Sequence, residues 1–528
     1  MLNKRLLSLI TYIPVIALWS LIFYNNLFSR LFFVDYSPPA FLDISKSIMI
    51  GSLQYNSYLL DIIKLMLYPF NAIHLTFQLS MLLAMLICHH YSKKLLQHNI
   101  HSILFTTMYI FNPFVYSRIM SGQIGVLISY LLMPVYMFYL FEIFKKNLRI
   151  KQVAKAAFAL TITSSLSAQF FAFNILLFFL AFFWFYMHKN KNRSAKTILK
   201  CIATFLILAA ILNLPFIIGI AQTKIFSEID YTHESFFSPK LSENLPAIAK
   251  IVSMHGFWRE NSYTTTYKEL PLPLWYIMLF AMLFLMIAGY HFSSHDNKSK
   301  FFYTLFWIGI IFGTGISHPY TKPFFNFLFN NLPFFNGFRD SHKFVAFIAL
   351  SYAYLTPLAT IKLRDSLKNA FAKRLAIILF IIFIVFYTYP LIGLSSQVKN
   401  VDYPKEYLAL DGFLSSQSMT GSIIYLPWQT YLTYNWTLHS SSDGRISNPI
   451  NKVSKNIILD GQDIFGSPGS IRPEIKSCLD MKNLSCLKSL DIQYIIHDSC
   501  AFYPDDYSWI NSTLLHKDGC LAVYSIAS

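Results

Sequence analysis

Long apolar runs fill the first three quarters of the chain and constrain its fold more than any other feature. A helix needs about twenty apolar residues to cross a hydrocarbon core of ~30 Å, and runs of about that length recur until residue 394 and then stop. Only 13% of the residues are charged, against roughly 25% in soluble domains. The sequence therefore predicts a polytopic α-helical membrane protein.

We expect about eleven membrane-spanning helices. Two of these spans are weakly predicted, because Pro113 breaks one and polar Thr163 to Ser165 end another. The segment 57 to 70 fits either an interfacial helix or a further span. The first run lacks a small-residue cleavage site, which favours an uncleaved span over a removed signal peptide. The predicted spans are 6 to 28, 71 to 91, 100 to 117, 124 to 144, 153 to 167, 169 to 188, 197 to 220, 273 to 292, 301 to 317, 343 to 360 and 374 to 394.

Lysine and arginine predict the orientation, because short loops rich in these residues stay on the cytoplasmic side. With the N-terminus inside, the basic clusters before residue 394 all fall in inner loops, at 4–5, 93–94, 145–155, 189–200, 298–300 and 362–374. An odd number of spans then places everything after residue 394 outside. We expect an integral protein of a prokaryotic plasma membrane with a cytoplasmic N-terminus and an extracytoplasmic C-terminal domain.

The charge distribution supports a division into two domains. Residues 1–394 are predicted to form the membrane domain, with outer loops at 29–70, 221–272 and 318–342, and residues 395–528, here called the tail, form a soluble domain. The tail carries 10 basic and 13 acidic residues, a net charge of −3. The membrane part therefore carries a net charge of +20, and together they give the +17 of the whole chain. This basic character reflects topology and contact with anionic lipid headgroups, and it does not indicate nucleic-acid binding.

The tail is predicted to be a mixed α/β domain. Short β-branched and aromatic runs predict strands at 421–427, 492–497 and 520–526, and helices are expected at 402–415 and 471–490. An even number of cysteines outside the cytoplasm suggests disulfides. Three pairings are open, and we expect the local one, which joins Cys478 to Cys486 and Cys500 to Cys520. A zinc site is disfavoured, because no CxxC spacing and no suitable histidine pair is present.

The first outer loop presents two carboxylates near the membrane surface. Asp35 follows the first span, among aromatic residues and before the stiff Pro38 and Pro39, and Asp43 follows in the same loop. A carboxylate held there can accept a proton from a hydroxyl group or bind a divalent cation. A solvated loop aspartate is the plainer alternative.

A second polar cluster opens the predicted span at 343. It contains Arg339, Asp340, His342 and Lys343. Cations at an outer helix N-terminus can clamp phosphate oxygens. Ordinary interfacial anchoring, with a weak ion pair between Arg339 and Asp340, is the alternative.

Two more outer segments combine charge with aromatic rings. The long loop 221–272 carries His255, Trp258, Arg259 and Glu260. This set suits a sugar ring or a lipid headgroup, although Trp is also a common interfacial anchor. Arg118 ends the broken helix that starts at Asn112, where it is either a phosphate or headgroup partner or a snorkelling side chain.

Three segments together resemble a known family. They are Asn112 to Arg118 with Ser121-Gly122-Gln123, Gly337 to Phe344, and Tyr425 to Trp428 with Tyr434-Asn-Trp436. Their combination resembles membrane proteins of the YfhO type and of the mycobacterial arabinofuranosyltransferase D type, which are similar to the GT-C superfamily of integral membrane glycosyltransferases. These motifs extend over most of the chain.

This resemblance implies a GT-C-like enzyme that moves a sugar from a polyprenyl-phosphate donor in the membrane to a glycan, lipid or polymer acceptor outside the cytoplasm. The usual base of that superfamily is an acidic residue in the first outer loop, which matches Asp35, with Asp43 as the second choice. The paired acidic motif of many members is missing here, so a divalent cation stays open. The tail would handle the acceptor. The sequence holds no GxGxxG or Walker loop and indicates no other cofactor.

Two other classes stay open. A transporter of lipid-linked glycans should show internal repeats and charges near mid-span, and neither is clear in the sequence. A non-catalytic scaffold with an outer binding domain would make Asp35 and Arg339 dispensable. The sequence does not indicate an oligomeric state, the sugar or the acceptor.

Overall fold

The computed structural model of the chain describes residues 9–40, 58–144, 150–189, 195–222, 237–239, 245–332, 335–417, 421–438, 444–454, 456, 458–461, 472–504 and 507–526. Up to residue 387 these residues form helices joined by loops. The tail adds short helices and a mixed sheet. This is the polytopic fold with a C-terminal mixed domain that the sequence predicts.

Seventeen α-helices precede the tail in the described residues. Among those described, seven helices are long and apolar enough to cross a membrane, and two shorter apolar ones accompany them. The count of about eleven spans stays a prediction. The helices are α1 Ile13–Phe23, α2 Tyr58–Leu67, α3 Thr76–Leu96, α4 Asn99–Ile110, α5 Pro113–Met120, α6 Ile124–Ile143, α7 Ile150–Ser164, α8 Ala168–Lys189, α9 Ala195–Leu212, α10 Leu214–Gln222, α11 Ala247–Val252, α12 Thr266–Glu269, α13 Leu272–Phe292, α14 Asn297–Thr314, α15 Lys322–Asn331, α16 Val345–Ser366 and α17 Ala370–Tyr387.

Helix α16 is the central helix of the membrane part. Its side chains are buried from Val345 to Pro357 without a break, and α13 and α14 pack closely against it. Gly289 makes this approach feasible, because a Cβ atom there would lie 1.9 Å from the carbonyl oxygen of Leu355. Small residues at such crossings let helices gain van der Waals contact where lipid gives no hydrophobic driving force.

Helices α4 and α5 are separated by the break that the sequence predicts at Pro113. Proline lacks the N–H that would continue the hydrogen-bond ladder, but it fits the first turn of a new helix. The side chain of Asn112 caps α5 by accepting a hydrogen bond of 3.0 Å from the Val115 amide. The break allows the short α5 to turn its last residues into the interior of the protein, where Arg118 lies.

Polar groups collect at the two ends of the helical part. At one end the Nζ atom of Lys298 donates to the Leu95 carbonyl at 3.4 Å, and the hydroxyl of Tyr354 donates to Asp296 at 3.2 Å. The opposite end holds Asp35 and Asp340. The end near Lys298 contains loops that the basic residues predict to be cytoplasmic.

We predict that a reporter enzyme active only after export is active when it is fused at Ser528. A fusion after Gln97, in the loop between α3 and α4, should give no activity, because the Lys93 and Lys94 cluster is expected inside. Activity measured in intact cells checks both fusions. The opposite pattern, with activity at Gln97 and none at Ser528, would reverse the predicted topology.

The tail is built around a five-stranded sheet in the order β4-β1-β5-β7-β6. β1 pairs in parallel with β4 and β5, whereas β7 pairs antiparallel with β5 and β6. The three strands that the sequence predicts are present as β1, β5 and β7. The elements are α18 Lys405–Ser416, β1 Ser422–Leu426, β2 Tyr431–Thr433, β3 Arg445–Ser447, α19 Ile450–Val453, β4 Ile458–Leu459, α20 Arg472–Asp480, α21 Leu484–Ser489, β5 Ile492–Asp498, β6 Thr513–Asp518 and β7 Leu521–Ser525.

Strand β1 separates two small apolar cores by the alternation of its side chains. Ile423 and Tyr425 pack into the core that includes α18 residues. Ile424 and Leu426 pack into the core on the other face, with residues of α20 and α21. The strand is therefore covered on both faces, as expected for the parallel part of a sheet.

Both predicted disulfides are formed. Cys478 bonds to Cys486 and holds α20 against α21. Cys500 bonds to Cys520 and ties the segment after β5 to the turn between β6 and β7. Such crosslinks stabilise a small domain mainly by restricting its unfolded chain.

Candidate functional site

Arg118 lies at the centre of a buried polar network at the end of the helical part that holds Asp35 and Asp340. Its side chain is 0% exposed. Nη1 donates to Gln123 Oε1 at 2.6 Å and to Asp340 Oδ2 at 3.0 Å. The guanidinium also lies over the Phe257 ring at 4.4 Å, an arrangement that stabilises a cation through the ring's electron density. The sequence allowed a snorkelling role for Arg118, and its burial contradicts that alternative.

The protonation of His342 follows from its partners. Nη2 of Arg118 lies 2.8 Å from His342 Nδ1, and a guanidinium can only donate. Nδ1 is therefore the acceptor, so Nε2 carries the proton and donates to the carbonyl oxygen of His255 at 3.2 Å. His342 is thus a neutral link between α5 and the loop at 253–262.

Asp340 is the carboxylate that balances this network. Besides Arg118, Nζ of Lys343 lies 3.8 Å from its Oδ2 atom. Burial would raise the pKa of Asp340, but the charges of Arg118 and Lys343 outweigh it and lower that pKa. Asp340 is therefore ionised, and it holds the two cations in place.

Asp35 reaches the same network through the first outer loop. Its backbone N–H donates to the Ser121 carbonyl at 2.9 Å. The loop can approach so closely because of Gly122, which has φ +73°, and a Cβ atom there would lie 2.6 Å from Phe33 Cβ. Gln123 then donates from Nε2 to Asp35 Oδ2 at 3.2 Å. The amide of Gln123 thus bridges Asp35 and Arg118.

The tail supplies the second hydrogen bond to Asp35. The Tyr431 hydroxyl donates to Oδ1 at 2.9 Å. The Asp35 side chain is solvent-exposed, yet enough protein surrounds it for burial to raise its pKa, against the opposing influence of Tyr431, Gln123, Arg259 and Lys343. Asp35 therefore lies in a recess that water reaches, with a carboxylate more basic than an ordinary aspartate.

Cations and aromatic rings from three segments meet near Asp35. The guanidinium of Arg339 lies 5.1 Å from the Phe237 ring centre, and that of Arg259 lies 5.5 Å from the Trp258 ring centre. The Phe237 and Trp258 rings touch edge to face at 4.9 Å. Arg259 and Lys343 both lower the pKa of Asp35 by their charge. The structure therefore brings the 255–260 and 339–343 segments together with Asp35.

His255 and Glu260 lie behind this surface and are buried. Glu260 accepts hydrogen bonds from the Gly256 amide at 2.6 Å and the Tyr267 hydroxyl at 2.7 Å. Burial would raise the pKa of Glu260, but its bonds with His255 and Tyr267 lower it to about 2. His255 and Glu260 thus fix the loop that presents Trp258 and Arg259. A contact between these two residues and a substrate stays a prediction.

Two residues of the network, Gln123 and Tyr431, were absent from the predicted site. The sequence indicates Gln123 only weakly as a site residue, through its position next to Gly122 directly after the helix that carries Arg118. Nothing in the sequence indicates Tyr431 as a site residue, because it lies in a short strand of the tail, 396 residues from Asp35. Asp43, the other predicted carboxylate, lies outside the described residues.

The described surroundings of Asp35 do not fit a divalent cation. Such an ion needs several oxygen ligands, whereas the described partners of Asp35 are two cations and two hydrogen-bond donors, Tyr431 and Gln123. Within the described part of the chain, Asp498, Cys500 and Cys520 form the one close group of potential metal ligands, and the two sulfur atoms are joined in the disulfide.

Comparison with known proteins gives structural matches alone. No family model and no curated protein matches the sequence. The structure of arabinofuranosyltransferase AftD from Mycobacteria matches with a TM-score of 0.63 at 10% identity, covering 98% of this chain and 40% of AftD. A mutant form of AftD matches with a TM-score of 0.61 at 10% identity, covering 98% and 41%. This chain thus spans well under half of AftD.

A third match is weaker. The archaeal oligosaccharyltransferase AglB from Archaeoglobus fulgidus, solved with an inhibitory peptide and a dolichol-phosphate, gives a TM-score of 0.49 at 11% identity, covering 94% of this chain and 70% of AglB. The AftD matches show the fold alone, and by them the chain shares the membrane fold of AftD.

Proposed function

We propose that the chain is a membrane glycosyltransferase that moves a sugar from a polyprenyl-phosphate donor to a glycan, lipid or polymer acceptor outside the cytoplasm. One observation carries the proposal. A basic carboxylate, Asp35, lies in a solvent-accessible recess beside Arg259 and Lys343, and the Gln123 amide connects it to the ion pair of Arg118 and Asp340. A base and a set of fixed cations are the two groups that this transfer needs.

The base acts on the acceptor. As the acceptor oxygen bonds to the anomeric carbon of the sugar, its proton moves to the Asp35 carboxylate, and the bond from that carbon to the phosphate oxygen breaks. General bases of this kind contribute typically 10²–10⁴-fold to rates. The raised pKa of Asp35 suits the task, because a more basic carboxylate takes the proton more readily.

The cations act on the donor. The departing lipid phosphate gains negative charge, so fixed positive groups lower the barrier without reorganising. Arg339, Lys343 and Arg259 are the side chains proposed for this role. Asp340 holds Lys343 near the recess, and Arg118 keeps Asp340 ionised. The apolar helices below would receive the polyprenyl chain of the donor.

Arg339→Ala tests the donor-binding part of the proposal. Loss of one charged hydrogen-bonding partner is expected to weaken binding of a polyprenyl phosphate about tenfold to hundredfold. Binding would be measured with a labelled polyprenyl phosphate and the full chain in lipid nanodiscs. Arg364→Ala is the matched control, because Arg364 pairs with Asp365 at the opposite end. Equal affinities of the two variants would contradict the assignment of Arg339.

A further inference from the structure

The tail contacts the first outer loop at several residues between Asp35 and Ala40. Tyr403 donates from its hydroxyl to the Pro38 carbonyl at 2.7 Å. Ser37 donates from Oγ to the Ser447 carbonyl at 3.1 Å. The Ala40 amide donates to the Lys452 carbonyl at 3.0 Å. The loop that carries Asp35 is therefore shaped by tail residues, and Tyr431 is the tail residue that bonds to Asp35 itself.

Tyr431 is held firmly by its own surroundings. Strand β2 pairs antiparallel with β3, with Tyr431 opposite Ser447. On its other side β2 is joined to the segment after β5, because the Phe502 amide donates to the Thr433 carbonyl at 2.8 Å. The guanidinium of Arg445 lies 5.5 Å from the Tyr431 ring centre. The hydroxyl of Tyr431 thus projects from a short ladder fixed on both sides.

We propose that Tyr431 is a positioning residue of the site, through which the tail orients the Asp35 carboxylate for proton transfer. The inference rests on the proposed function. Tyr431 occupies Oδ1 and Gln123 occupies Oδ2, so the plane of the carboxylate is fixed by two donors from different parts of the chain. Each oxygen keeps a further lone pair for an acceptor hydroxyl. The tail is then part of the catalytic unit in addition to any role in acceptor binding.

The hydrogen bond from Tyr431 predicts how the pKa of Asp35 changes when the hydroxyl is removed. A donor to the charged form of an acid favours that form, and Tyr431 accordingly lowers the pKa of Asp35 against the stronger effect of burial. Gln123 and the charges of Arg259 and Lys343 act in the same direction. Removing the Tyr431 hydroxyl leaves burial less opposed, so the pKa of Asp35 should rise.

Tyr431→Phe is the variant that tests the role. We expect kcat to fall about tenfold at neutral pH, with the KM for the donor unchanged, because the charged hydrogen bond is lost and the donor cations are untouched. The acidic limb of the kcat profile should move to higher pH, and raising the pH should restore part of the activity.

Tyr403→Phe is the matched control. It removes a hydroxyl bond of similar length between the tail and the same loop, but that bond does not reach Asp35. The control should leave the acidic limb where it is in the unaltered protein. Equal shifts in both variants would mean that the tail merely holds the loop, and the positioning role would be wrong.

A readout without turnover separates this inference from the proposed function. Carbodiimides react with protonated carboxyl groups, so the pH dependence of Asp35 labelling, followed by mass spectrometry, reports its protonation. A midpoint that moves to higher pH in Tyr431→Phe alone supports the positioning role even if no transferase activity is found. An unmoved midpoint overturns the role, whatever the activity.

Discussion

Asp35→Asn is expected to lower turnover at least about 100-fold while the fold and donor binding persist. Asparagine has nearly the same shape and can still accept from Tyr431, but it cannot take the proton of an acceptor hydroxyl. The main loss should therefore appear in kcat and not in the affinity for polyprenyl phosphate. Single-turnover assays with a labelled lipid-linked sugar would measure the effect.

The pH profile gives a second test of Asp35. The base works only when it is ionised, so turnover should fall as the pH drops through the pKa of Asp35, which burial holds above the ordinary value. Asp35→Asn should lack this acidic limb. Asp402→Asn is the control, since Asp402 is an exposed carboxylate that pairs with Arg30. Activity of Asp35→Asn within tenfold of the control would remove the residue from the mechanism.

Arg118→Met is expected to destabilise the protein by about 3 to 5 kcal/mol, the usual effect of breaking a buried ion pair by removing one partner. The substitution leaves Asp340 buried beside Lys343 alone and takes the donor from His342 Nδ1. Methionine fills a similar volume between the Phe114 and Phe257 rings, so lost packing contributes little. Thermal unfolding in detergent would show the loss.

A second substitution distinguishes charge from packing. In Arg118→Met, a further Asp340→Asn removes the uncompensated carboxylate and should restore part of the stability, because interacting neighbours are not additive. Arg364→Met, at the exposed ion pair with Asp365, should change stability by less than about 1 kcal/mol. An unfolding temperature of Arg118→Met equal to that of the control would refute the central role of the network.

The helical fold could be predicted because crossing a membrane demands a fixed length of apolar chain. The predicted span 124 to 144 corresponds to Ile124–Ile143, and 273 to 292 corresponds to Leu272–Phe292. Hydropathy does not reveal where a helix breaks inside an apolar run. The predicted span 197 to 220 is divided at Asn213, whose side chain donates to Thr161 and to the Ala209 carbonyl. The first predicted span, 6 to 28, contains the much shorter described helix Ile13–Phe23.

The candidate site was predictable where its chemistry is local in sequence. Arg339 to Lys343 combine opposite charges within one turn, and Asp35 follows directly after a span, so both were identified from the sequence. Contacts between residues far apart in the chain could not be predicted in this way. The bond from Tyr431 to Asp35 depends on the pairing of β2 with β3 and on the docking of the tail, and no periodicity encodes either contact.

The bond between Asp35 and Tyr431 also sets an order of assembly. Tyr431 lies 396 residues after its partner, and at about 5–20 residues per second the ribosome needs roughly 20 to 80 s to make that stretch. During this time the first outer loop lacks its tail contacts. The recess can therefore be completed only after every span has been made and the tail has folded, so under the proposed function a nascent or truncated chain would lack transferase activity.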